Sequence, residues 1–578
     1  MLVVVKLLNV ILYSDFSEVD VLGVKKELIF LKILLLISVL CVGGFHIFSS
    51  AALTLLSAGF VIYKLSKKDA PKLTVNLVLI TLTLVTVSYL FVSLWAVDSG
   101  TAIYGFIKYL PIVFFSIAVG FYTHDERRDI LSSVPLISVT TGYLSFALSF
   151  VPKLEEWLLV AERLGGFFQS PNIFATFSLV GLVILITSEK LDIKKWILIV
   201  ASIVLIFLSG SRTVFILLAL VVFVMFFKLK SKKTKIAIAS IFATFIVIGV
   251  IVAAVTDSFQ TFGRFLTISV NSSTFLGRLL YFKDAIPVIF KNPFGMGYYG
   301  YYFSQGSFQT GVYSVAFVHN TVLQFLLDIG FIPTIFFCVT IATSFFSSKM
   351  NFTEKFVLAV IFVHSLVDFD LQFITIFFVL ILTLDFDVWI VKSIKLPRAV
   401  PAVVSVPLVL LSIYFAVINL FFLNSDFKMV EKIYGNDTMS KMYLLQTEED
   451  GALAYEYANY IADKNGYLAI AYDYKANSAF VNGDFEKVIE YKTKALECSP
   501  YDLNEYLDYL DKLYVGISLY YEAGDYESAQ FCITKAKSVP KMLAKLKKET
   551  SSIAWKIQDK PQLELPEEYK ETLKELTS

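Results

Sequence analysis

The stretch PAVVSVPLVLLSIYFAVINLFFL, residues 401–423, contains no charged side chain. A helix needs roughly 17–25 mostly apolar residues to cross the hydrocarbon core of a bilayer, so this stretch is long enough to span one. The whole chain of 578 residues has the same character: 57% of it is hydrophobic and only 17% is charged, with a mean hydropathy of +0.70. Soluble domains are about half apolar and about a quarter charged. The sequence therefore predicts a polytopic membrane protein.

Further apolar stretches lie on the N-terminal side of residues 401–423. They are 27–48, 50–63, 73–95, 102–122, 130–152, 171–187, 193–208, 212–227, 236–255, 320–347, 355–371 and 373–391. The first two are joined by almost no loop, as are the seventh and eighth, so a member of either pair can be re-entrant instead. The predicted fold class is all-α, with a polytopic helix bundle of about 12–13 spans over residues 27–423.

The loops between the predicted spans differ in their content of Lys and Arg. If residues 1–26 are placed in the cytoplasm, the short loops on the opposite side carry only Lys153, Arg163 and Arg212, and the cytoplasmic loops carry most of the rest. Lys and Arg accumulate in cytoplasmic loops, so this asymmetry predicts the orientation. The protein is then a multi-pass protein of the cytoplasmic (inner) membrane, with the loop 256–319 and the C-terminal region outside.

The unusual polar elements of the chain all fall on this outer side. They are 165–172, 209–212, the loop 256–319 and the segment 364–370. A transporter is expected to place polar groups near the bilayer midplane and on both faces. An enzyme acting on a lipid-linked substrate at the outer leaflet gathers them on one face, and the pattern favours such an enzyme. The net charge of +1 gives the protein no overall electrostatic field that would attract nucleic acid.

Residues 424–578 have the composition of a soluble protein, rich in Tyr, Lys, Glu and Asp. Gly-Asp followed by an aromatic residue occurs twice, at Gly483 and Gly524, between helix-like stretches. This pattern resembles tetratricopeptide (TPR) repeats, although the spacing exceeds the usual value of roughly 34 residues. We predict an extracytoplasmic TPR-like helical domain, which either caps the membrane domain or docks an acceptor or a partner protein. Whether Cys498 and Cys532 form a disulfide stays undecided.

A long polar insertion separates two of the predicted spans. It contains Arg278, the sequence KNPFGMG (291–297), His319-Asn320 and LLDIG (326–330). This spacing resembles the signature loop of the O-antigen ligase and polymerase family of bacterial membrane glycosyltransferases, and the resemblance covers roughly residues 160–395. It implies transfer of a glycan from an undecaprenyl-diphosphate carrier to an acceptor hydroxyl, without a metal or another cofactor.

The resemblance implies three catalytic residues, which are His319, Arg278 and Arg212. A guanidinium group suits the departing diphosphate, because its planar fork binds phosphate oxygens bidentately and stays charged. An imidazole suits the acceptor hydroxyl, because it exchanges protons near neutral pH. Each residue also has a simpler interpretation: Arg212 as a lipid anchor, Arg278 as the solvated charge of an interfacial helix, and His319 as a structural side chain.

Substrate-binding roles are implied for a second set of residues. They are Arg163, Lys108, Asn172, Gly295, Gly297, Asn320, His364 and Asp368. We expect the two glycines to let the backbone approach a ligand and Asn320 to fix the ring of His319. The charge of Lys108 within a span is expected to reach the diphosphate or to snorkel.

A divalent-cation site is the alternative to metal-free chemistry. His364 and Asp368 are four residues apart and would share one helix face, with Asp370 nearby. The family that the sequence resembles has a His and Asp pair at this place as part of the structure of its site. We therefore predict that His364, Asp368 and Asp370 bind no metal.

Several functions stay open at this point. A ligase would deliver a finished glycan to lipid, protein or wall polymer. The C-terminal domain favours a ligase weakly, because a dedicated acceptor needs a docking surface. A polymerase would join lipid-linked repeat units. A polysaccharide exporter or lipid flippase, and an assembly scaffold, are alternatives from other classes.

Overall fold

The computed structural model describes residues 22–228 and 271–576, together with residues 235, 236, 240, 243 and 269. Most of the predicted span 236–255, the first part of the loop 256–319 and most of the predicted segment 1–26 lie outside the described residues. Helices dominate the described part, accompanied by two short two-stranded sheets. This confirms the all-α fold class.

The N-terminal part is a bundle of mostly apolar helices. Its helices are α1 (Leu22–Leu40), α2 (Ile47–Leu65), α3 (Leu77–Val92), α4 (Ser99–Gly120), α5 (His124–Leu131), α6 (Val134–Leu148), α7 (Pro152–Leu158), α8 (Pro171–Ile186), α9 (Ile193–Ser209), α10 (Arg212–Lys228), α11 (Ser273–Lys291), α12 (Gly300–Ser304), α13 (Thr321–Ile329), α14 (Phe331–Phe346), α15 (Phe352–Ser365), α16 (Ile374–Leu382) and α17 (Val400–Leu423). Its strands are β1 (Leu73–Val75), β2 (Leu159–Val160), β3 (Arg163–Leu164) and β4 (Lys392–Ile394).

Several of these helices have the length and composition of membrane spans. Within the described residues, four helical segments are long and apolar enough to cross a membrane: Ile47–Leu65, Ser99–Gly120, His124–Leu148 and Val400–Leu423. Shorter apolar helices are Leu77–Val92, Pro171–Ile186 and Phe331–Phe346. The opening stretch 401–423 is thus a continuous helix, α17, and the prediction of a membrane protein is supported.

The sheet of β1 and β4 joins distant segments at one end of the bundle. The strands pair antiparallel, with Thr74 opposite Ser393. The helix within the predicted span 73–95 therefore begins only at Leu77. Asn76 caps its N-terminus by accepting a hydrogen bond from the backbone N–H of Leu79 at 3.0 Å.

The predicted span 373–391 contains a much shorter helix, α16, at the centre of the bundle. All nine residues of α16 are buried, and the ring of Phe378 stacks on Phe115 of α4 with 3.9 Å between centroids. After α16 the chain leaves the helix and reaches β4. Complete burial against neighbouring helices, rather than length, stabilises this element.

The predicted span 320–347 is divided into α13 and α14 at Gly330. The φ of Gly330 is 81°, in the left-handed region, and a Cβ there would lie 2.5 Å from the carbonyl oxygen of Pro293. That carbonyl also accepts a hydrogen bond from Phe331 N–H at 3.0 Å. The segment 292–297 therefore packs into the break between the two helices, and the close approach requires glycine.

Gly330→Ala is expected to destabilise the protein by about 1–3 kcal/mol, because the added Cβ meets backbone and the left-handed conformation disfavours alanine. The measurement is the thermal unfolding midpoint of the detergent-purified protein. Gly59→Ala is the control, since a Cβ added to Gly59, in α2, would meet no neighbouring atom within 4 Å. Equal midpoints for the two variants would contradict this role of Gly330.

The C-terminal part consists of further helices arranged in antiparallel hairpins. They are α18 (Phe427–Ile433), α19 (Thr438–Thr447), α20 (Gly451–Lys464), α21 (Ala469–Val481), α22 (Phe485–Cys498), α23 (Leu503–Glu522), α24 (Tyr526–Glu549) and α25 (Glu567–Glu575). Gly483 and Gly524 both have left-handed φ at the turns that join α21 to α22 and α23 to α24. Cys498 and Cys532 are free thiols and form no disulfide with each other.

The C-terminal helices pack directly on the membrane part. Tyr104 of α4 donates a hydrogen bond to Asp437 Oδ2 at 2.7 Å. Asn465 Nδ2 donates to Asp98 Oδ2 at 3.2 Å, immediately before α4. Lys283 of α11 donates to Ser551 Oγ at 3.0 Å. The two parts therefore share an interface at the end of the bundle where α4 begins, which we call the domain-bearing end.

Candidate functional site

Asp368 is the centre of a cluster of polar side chains beyond the end of α15. The residue is only 1% exposed. Its Oδ2 accepts hydrogen bonds from Asn172 Nδ2 at 2.7 Å and from Arg278 Nη2 at 3.1 Å. Its Oδ1 lies 3.1 Å from His319 Nδ1. Three residues that the sequence analysis singled out separately thus meet around the carboxylate of a fourth, Asp368.

The surroundings of Asp368 favour its charged form. Burial by itself would raise the pKa of this carboxyl, but the Arg278 guanidinium and the hydrogen bond and charge of His319 outweigh burial. The pKa of Asp368 is consequently held well below its usual value. The carboxylate is ionised, and a carboxylate without a proton can only accept hydrogen bonds.

His319 is held between Asp368 and an aromatic wall. Because Asp368 is an acceptor, the neutral imidazole of His319 carries its proton on Nδ1 and its lone pair on Nε2. The ring packs against Phe369 with 4.9 Å between centroids, and the side chain is 25% exposed. The backbone φ of His319 is 54°, which is rare outside glycine and frequent at functional sites. This position suits a group that accepts a proton from a bound hydroxyl.

Arg278 lies on α11, on which Leu276 and Leu280 are buried, whereas Leu279 and Ile286 are exposed. The Arg278 side chain is 11% exposed. Only one of its terminal nitrogens forms the ion pair with the carboxylate at the cluster centre, and its Nε is buried without a partner among the described residues. Arg278 therefore keeps donors for a second anion.

Asn320 follows His319 and acts on the loop of Asp368 rather than on the imidazole. Its Oδ1 caps α13 by accepting from Leu323 N–H at 2.9 Å. Its Nδ2 donates to the Leu366 carbonyl at 2.8 Å. Asn320 does not fix the ring of His319 as expected, because both ends of its amide are already bonded to backbone groups.

Arg163 and Asn172 form the second row of contacts behind the carboxylate. Arg163 Nη2 donates to Asn172 Oδ1 at 3.0 Å, and Arg163 Nε donates to the Ser209 carbonyl at 2.8 Å. The first bond orients the amide so that its NH₂ group faces Asp368. Pro171 at the start of α8 has fixed φ and begins the helix that carries Asn172.

His364 and Asp370 form a separate, fully buried pair. His364 Nδ1 lies 2.8 Å from both carboxylate oxygens of Asp370 and 3.1 Å from Thr176 Oγ1. The expectation that His364 and Asp368 share one helix face is wrong, because α15 ends at Ser365 and the chain turns before Asp368. Within the described residues, no three His, Cys, Asp or Glu side chains are grouped to hold a metal ion.

Arg212, the third predicted catalytic residue, is the first residue of α10. Its side chain has no hydrogen bond or ion pair among the described residues, whereas Oγ1 of its neighbour Thr213 lies 3.5 Å from Arg278 Nη1. The structure thus places Arg212 beside the cluster without joining it. Arg212 as a residue is partly exposed.

The other predicted binding residues lie away from Asp368. Fully buried Lys108 donates to the carbonyls of Gly44 and Phe45, in the break between α1 and α2. Gly295 and Gly297 have left-handed φ, and their backbones approach residues other than the cluster: a Cβ on Gly295 would lie 2.5 Å from the Asp328 carbonyl oxygen. The close approach that requires these glycines is therefore made to the protein chain.

Sequence analysis missed Asp284, which organises the loop before His319. Its carboxylate accepts from Thr310 N–H at 2.8 Å, from Thr310 Oγ1 at 2.7 Å and from Tyr313 OH at 3.0 Å. Burial raises the pKa of Asp284 above its usual value, although these hydrogen bonds act in the opposite direction. The only signal in the sequence is an acidic residue on the apolar helix α11.

The central part of the chain, which carries Arg212, Arg278 and His319, matches a known family. A sequence model described as O-antigen ligase covers the chain from the start of α9 to the middle of α14. Residues 197–338 match the O-antigen ligase family. The match covers less than half of the chain and excludes Asp368 and Asn172. No curated protein matches the chain.

The match with the O-antigen ligase family supports a glycan-transfer role in cell-surface polysaccharide assembly. Together with the apolar helices it indicates a membrane protein, for which the family implies lipid-linked glycan donors. The tertiary structure joins Asp368 to Arg278 and His319 of the matched segment. Asn172 bonds Asp368, and Arg163 bonds Asn172.

Proposed function

We propose that the protein transfers a glycan from an undecaprenyl-diphosphate carrier to an acceptor hydroxyl, in the manner of an O-antigen ligase. One observation carries the proposal. His319, the candidate general base, and Arg278, the candidate cation, both contact the same buried carboxylate, that of Asp368. His319 and Arg278 are thereby fixed on opposite oxygens of the same group. A hydroxyl held by His319 and a diphosphate held by Arg278 would lie in one site, on the two sides of an anomeric carbon placed between them, as direct displacement requires.

The proposed reaction is a single displacement at the anomeric carbon. His319 Nε2 takes the proton of the acceptor hydroxyl while its oxygen forms a bond to that carbon. The bond from carbon to the diphosphate oxygen breaks, and the electron pair leaves with undecaprenyl diphosphate. Asp368 stabilises the protonated imidazole, which afterwards releases its proton to water.

Arg278 and Arg212 would stabilise the departing diphosphate. Among the described residues, the buried Nε of Arg278 has no partner and Nη1 makes only a long contact, and neighbouring Arg212 is partly exposed. Guanidinium groups pair bidentately with phosphate oxygens, so the two residues can replace the charge that a metal ion supplies in other transferases. We therefore propose that no divalent metal is required.

We place this site at the outer face of the cytoplasmic membrane, with the C-terminal domain also outside. The distribution of Lys and Arg supports this orientation. The hairpins turning at Gly483 and Gly524 support the interpretation of the C-terminal domain as TPR-like. The acceptor is a lipid, protein or wall polymer, and a partner protein can dock on the hairpins.

The test of the proposed function is transfer by the purified protein from a synthetic undecaprenyl-diphosphate-linked oligosaccharide, with EDTA present. We expect turnover to be unaffected by EDTA. Products that carry a single glycan indicate a ligase, and ladders of repeat units indicate a polymerase. Loss of turnover that Mg²⁺ or Mn²⁺ restores would contradict the metal-free mechanism. Movement of the donor across vesicle membranes without transfer would favour a flippase.

Arg278→Ala is expected to lower kcat/KM for the donor by about 10²–10³-fold, because one guanidinium facing developing charge is lost. Arg278→Lys should recover only part of this loss, since an ammonium group lacks the bidentate fork. Lys291→Ala is the matched control, because it removes one exposed positive charge from the same helix, α11. An equal loss in Lys291→Ala would show that overall charge, rather than the site, determines the rate.

A further inference from the structure

Gln324 contacts the chain on both sides of His319. The residue belongs to α13 and is only 1% exposed. Its backbone N–H donates a hydrogen bond to the Asn320 carbonyl at 2.8 Å. Its side-chain Oε1 accepts a hydrogen bond from the Val318 N–H at 2.9 Å. The two residues that flank the proposed general base are therefore bonded to a single residue, which the transfer mechanism does not use.

The amide of Gln324 has one orientation that satisfies its neighbours. The backbone N–H of Val318 can only donate, so the amide oxygen must face it. The NH₂ group then faces Asp328, whose Oδ1 accepts from it at 2.8 Å. Asp328 Oδ2 accepts from the Tyr89 hydroxyl at 3.0 Å, and all three side chains of this row are buried. The bond to Asp328 thus fixes which end of the amide reaches the chain before His319.

The signature loop is bonded to the end of the same helix. The backbone N–H groups of Met296 and Gly297 donate to the carbonyls of Leu327 and Asp328, at 2.7 and 3.1 Å respectively. These carbonyls lie in the last turn of α13, where a helix leaves its carbonyls without internal partners. The close packing of the signature loop therefore anchors the helix that carries Gln324.

The backbone of His319 is strained and needs such an anchor. Its φ of 54° lies in the left-handed region, where a residue of this type stays only if its surroundings hold it. The side chain of Val318 is fully buried in an apolar cluster with Ala285 and Ile289 of α11. The same helix carries Arg278. The position of the imidazole relative to the guanidinium is therefore set through Val318.

We propose that Gln324 is a positioning residue for the proposed reaction. By holding the Val318 N–H, it maintains the strained backbone that directs the imidazole of His319 at Asp368. Asp328 acts through Gln324, and we call these two residues the clamp. Neither touches a substrate in the proposed mechanism. The inference rests on the proposed function for the role of His319, and on the hydrogen bonds alone for the existence of the clamp.

The first test is Gln324→Leu in the full chain in phospholipid nanodiscs, with transfer measured from the synthetic undecaprenyl-diphosphate-linked donor. Leucine has a similar size but no group that can accept from the Val318 N–H. We expect kcat to fall by roughly ten- to hundredfold, because a displacement of about 1 Å at a reacting group has an effect of this size. The KM for the donor should stay unchanged, because Arg278 keeps its contacts.

The double substitution Gln324→Glu with Asp328→Asn rebuilds the clamp with its two groups exchanged. The introduced carboxylate can accept from the Val318 N–H and from the introduced amide, whose own oxygen can accept from Tyr89. Most of the lost kcat should therefore return. A general intolerance of change at residue 324 would leave the double variant as slow as Gln324→Leu, and would overturn the proposal.

Gln305→Leu is the matched control. The amide of Gln305 makes the same kind of contact in the loop before His319, because its Oε1 accepts from the Val315 N–H at 3.0 Å and its Nε2 donates to the Tyr302 carbonyl at 2.8 Å. The residue is also buried. The substitution removes an equal amide without releasing the residues that flank His319, so kcat should stay close to the wild-type value.

Hydrogen exchange, measured by mass spectrometry on fragments that contain residues 318 and 319, follows the clamp without any transfer. The Val318 amide should exchange faster in Gln324→Leu than in wild type, because it loses its acceptor, and no faster in Gln305→Leu. If wild type transfers no glycan but shows this difference, the clamp stands and the proposed function fails. If wild type transfers glycan and the exchange rates do not differ, the reverse holds.

A loss of kcat in Gln324→Leu that the double substitution restores and that Gln305→Leu lacks supports the proposal. A wild-type kcat in Gln324→Leu would contradict it, because the imidazole would then need no support from this amide. An equal loss in Gln305→Leu would also contradict it, because the effect would then belong to general loosening of the loop.

Discussion

His319→Asn is expected to lower kcat for glycan transfer by about 10²–10⁴-fold, the usual contribution of a general base. Asparagine is the preferred replacement, because the φ of 54° at this position is tolerated by asparagine and strains alanine. Its amide has no lone pair that can take up a proton from the acceptor hydroxyl. The measurement is the single-turnover rate with a synthetic undecaprenyl-diphosphate-linked donor at saturating concentration.

The control for this variant is His124→Asn. His124 lies 3.0 Å from Glu354 Oε2 through Nε2, at the start of α5 and at the opposite end of the bundle from α4's beginning. The substitution removes a histidine from the chain without touching the proposed site, so transfer should continue at the wild-type rate. A His319→Asn protein that is folded and retains more than a tenth of the wild-type rate would exclude His319 as the general base.

Asp368→Asn is expected to cause a loss of similar size, about 10³–10⁴-fold in kcat, although its side chain touches no substrate in the proposed mechanism. Its two oxygens accept hydrogen bonds from four donors: Asn172, Arg278, His319 and the Phe369 backbone N–H. An amide has only one oxygen, so its NH₂ group must face donors in either orientation. The imidazole then loses the acceptor that fixes its tautomer.

Two further measurements distinguish Asp368 as a positioning residue from a purely structural one. Loss of its charge leaves Arg278 without its anion, so the apparent KM for the anionic donor should fall while kcat falls. Breaking the buried pair should also cost about 3–5 kcal/mol of stability, visible as a lower unfolding midpoint. Asp387→Asn, which removes a half-exposed carboxylate paired with Lys349, is the control.

A rise in KM together with the loss of kcat in Asp368→Asn would indicate general damage to the site and would contradict the proposed orientation of His319. A wild-type kcat would show that the imidazole needs no orienting carboxylate. Either result would make His364 and Asp370 the next pair to test. Their side chains are fully buried, and His364 Nδ1 lies 2.8 Å from Asp370 Oδ2.

The sequence by itself determined the class of the protein. Apolar stretches such as 401–423 must be removed from water, and a helix is the element that satisfies its own backbone hydrogen bonds within lipid. The residues around the signature loop could also be predicted from sequence, because their types and spacing are local: Arg278 lies on a helix, and His319-Asn320 immediately precedes one. A family model finds the same segment, residues 197–338.

Only the tertiary structure decided which polar residues act together. Asp368 and Asn172 are far apart in sequence, and no local pattern indicates that Asn172, Arg278 and His319 all contact Asp368. The sequence placed Lys108 and the two glycines of the signature loop in the same group. In the folded protein Lys108 instead bonds carbonyls at a helix break, because buried carbonyls need a donor. The two glycines allow the chain to pack closely on itself, because such close contacts leave no room for a Cβ.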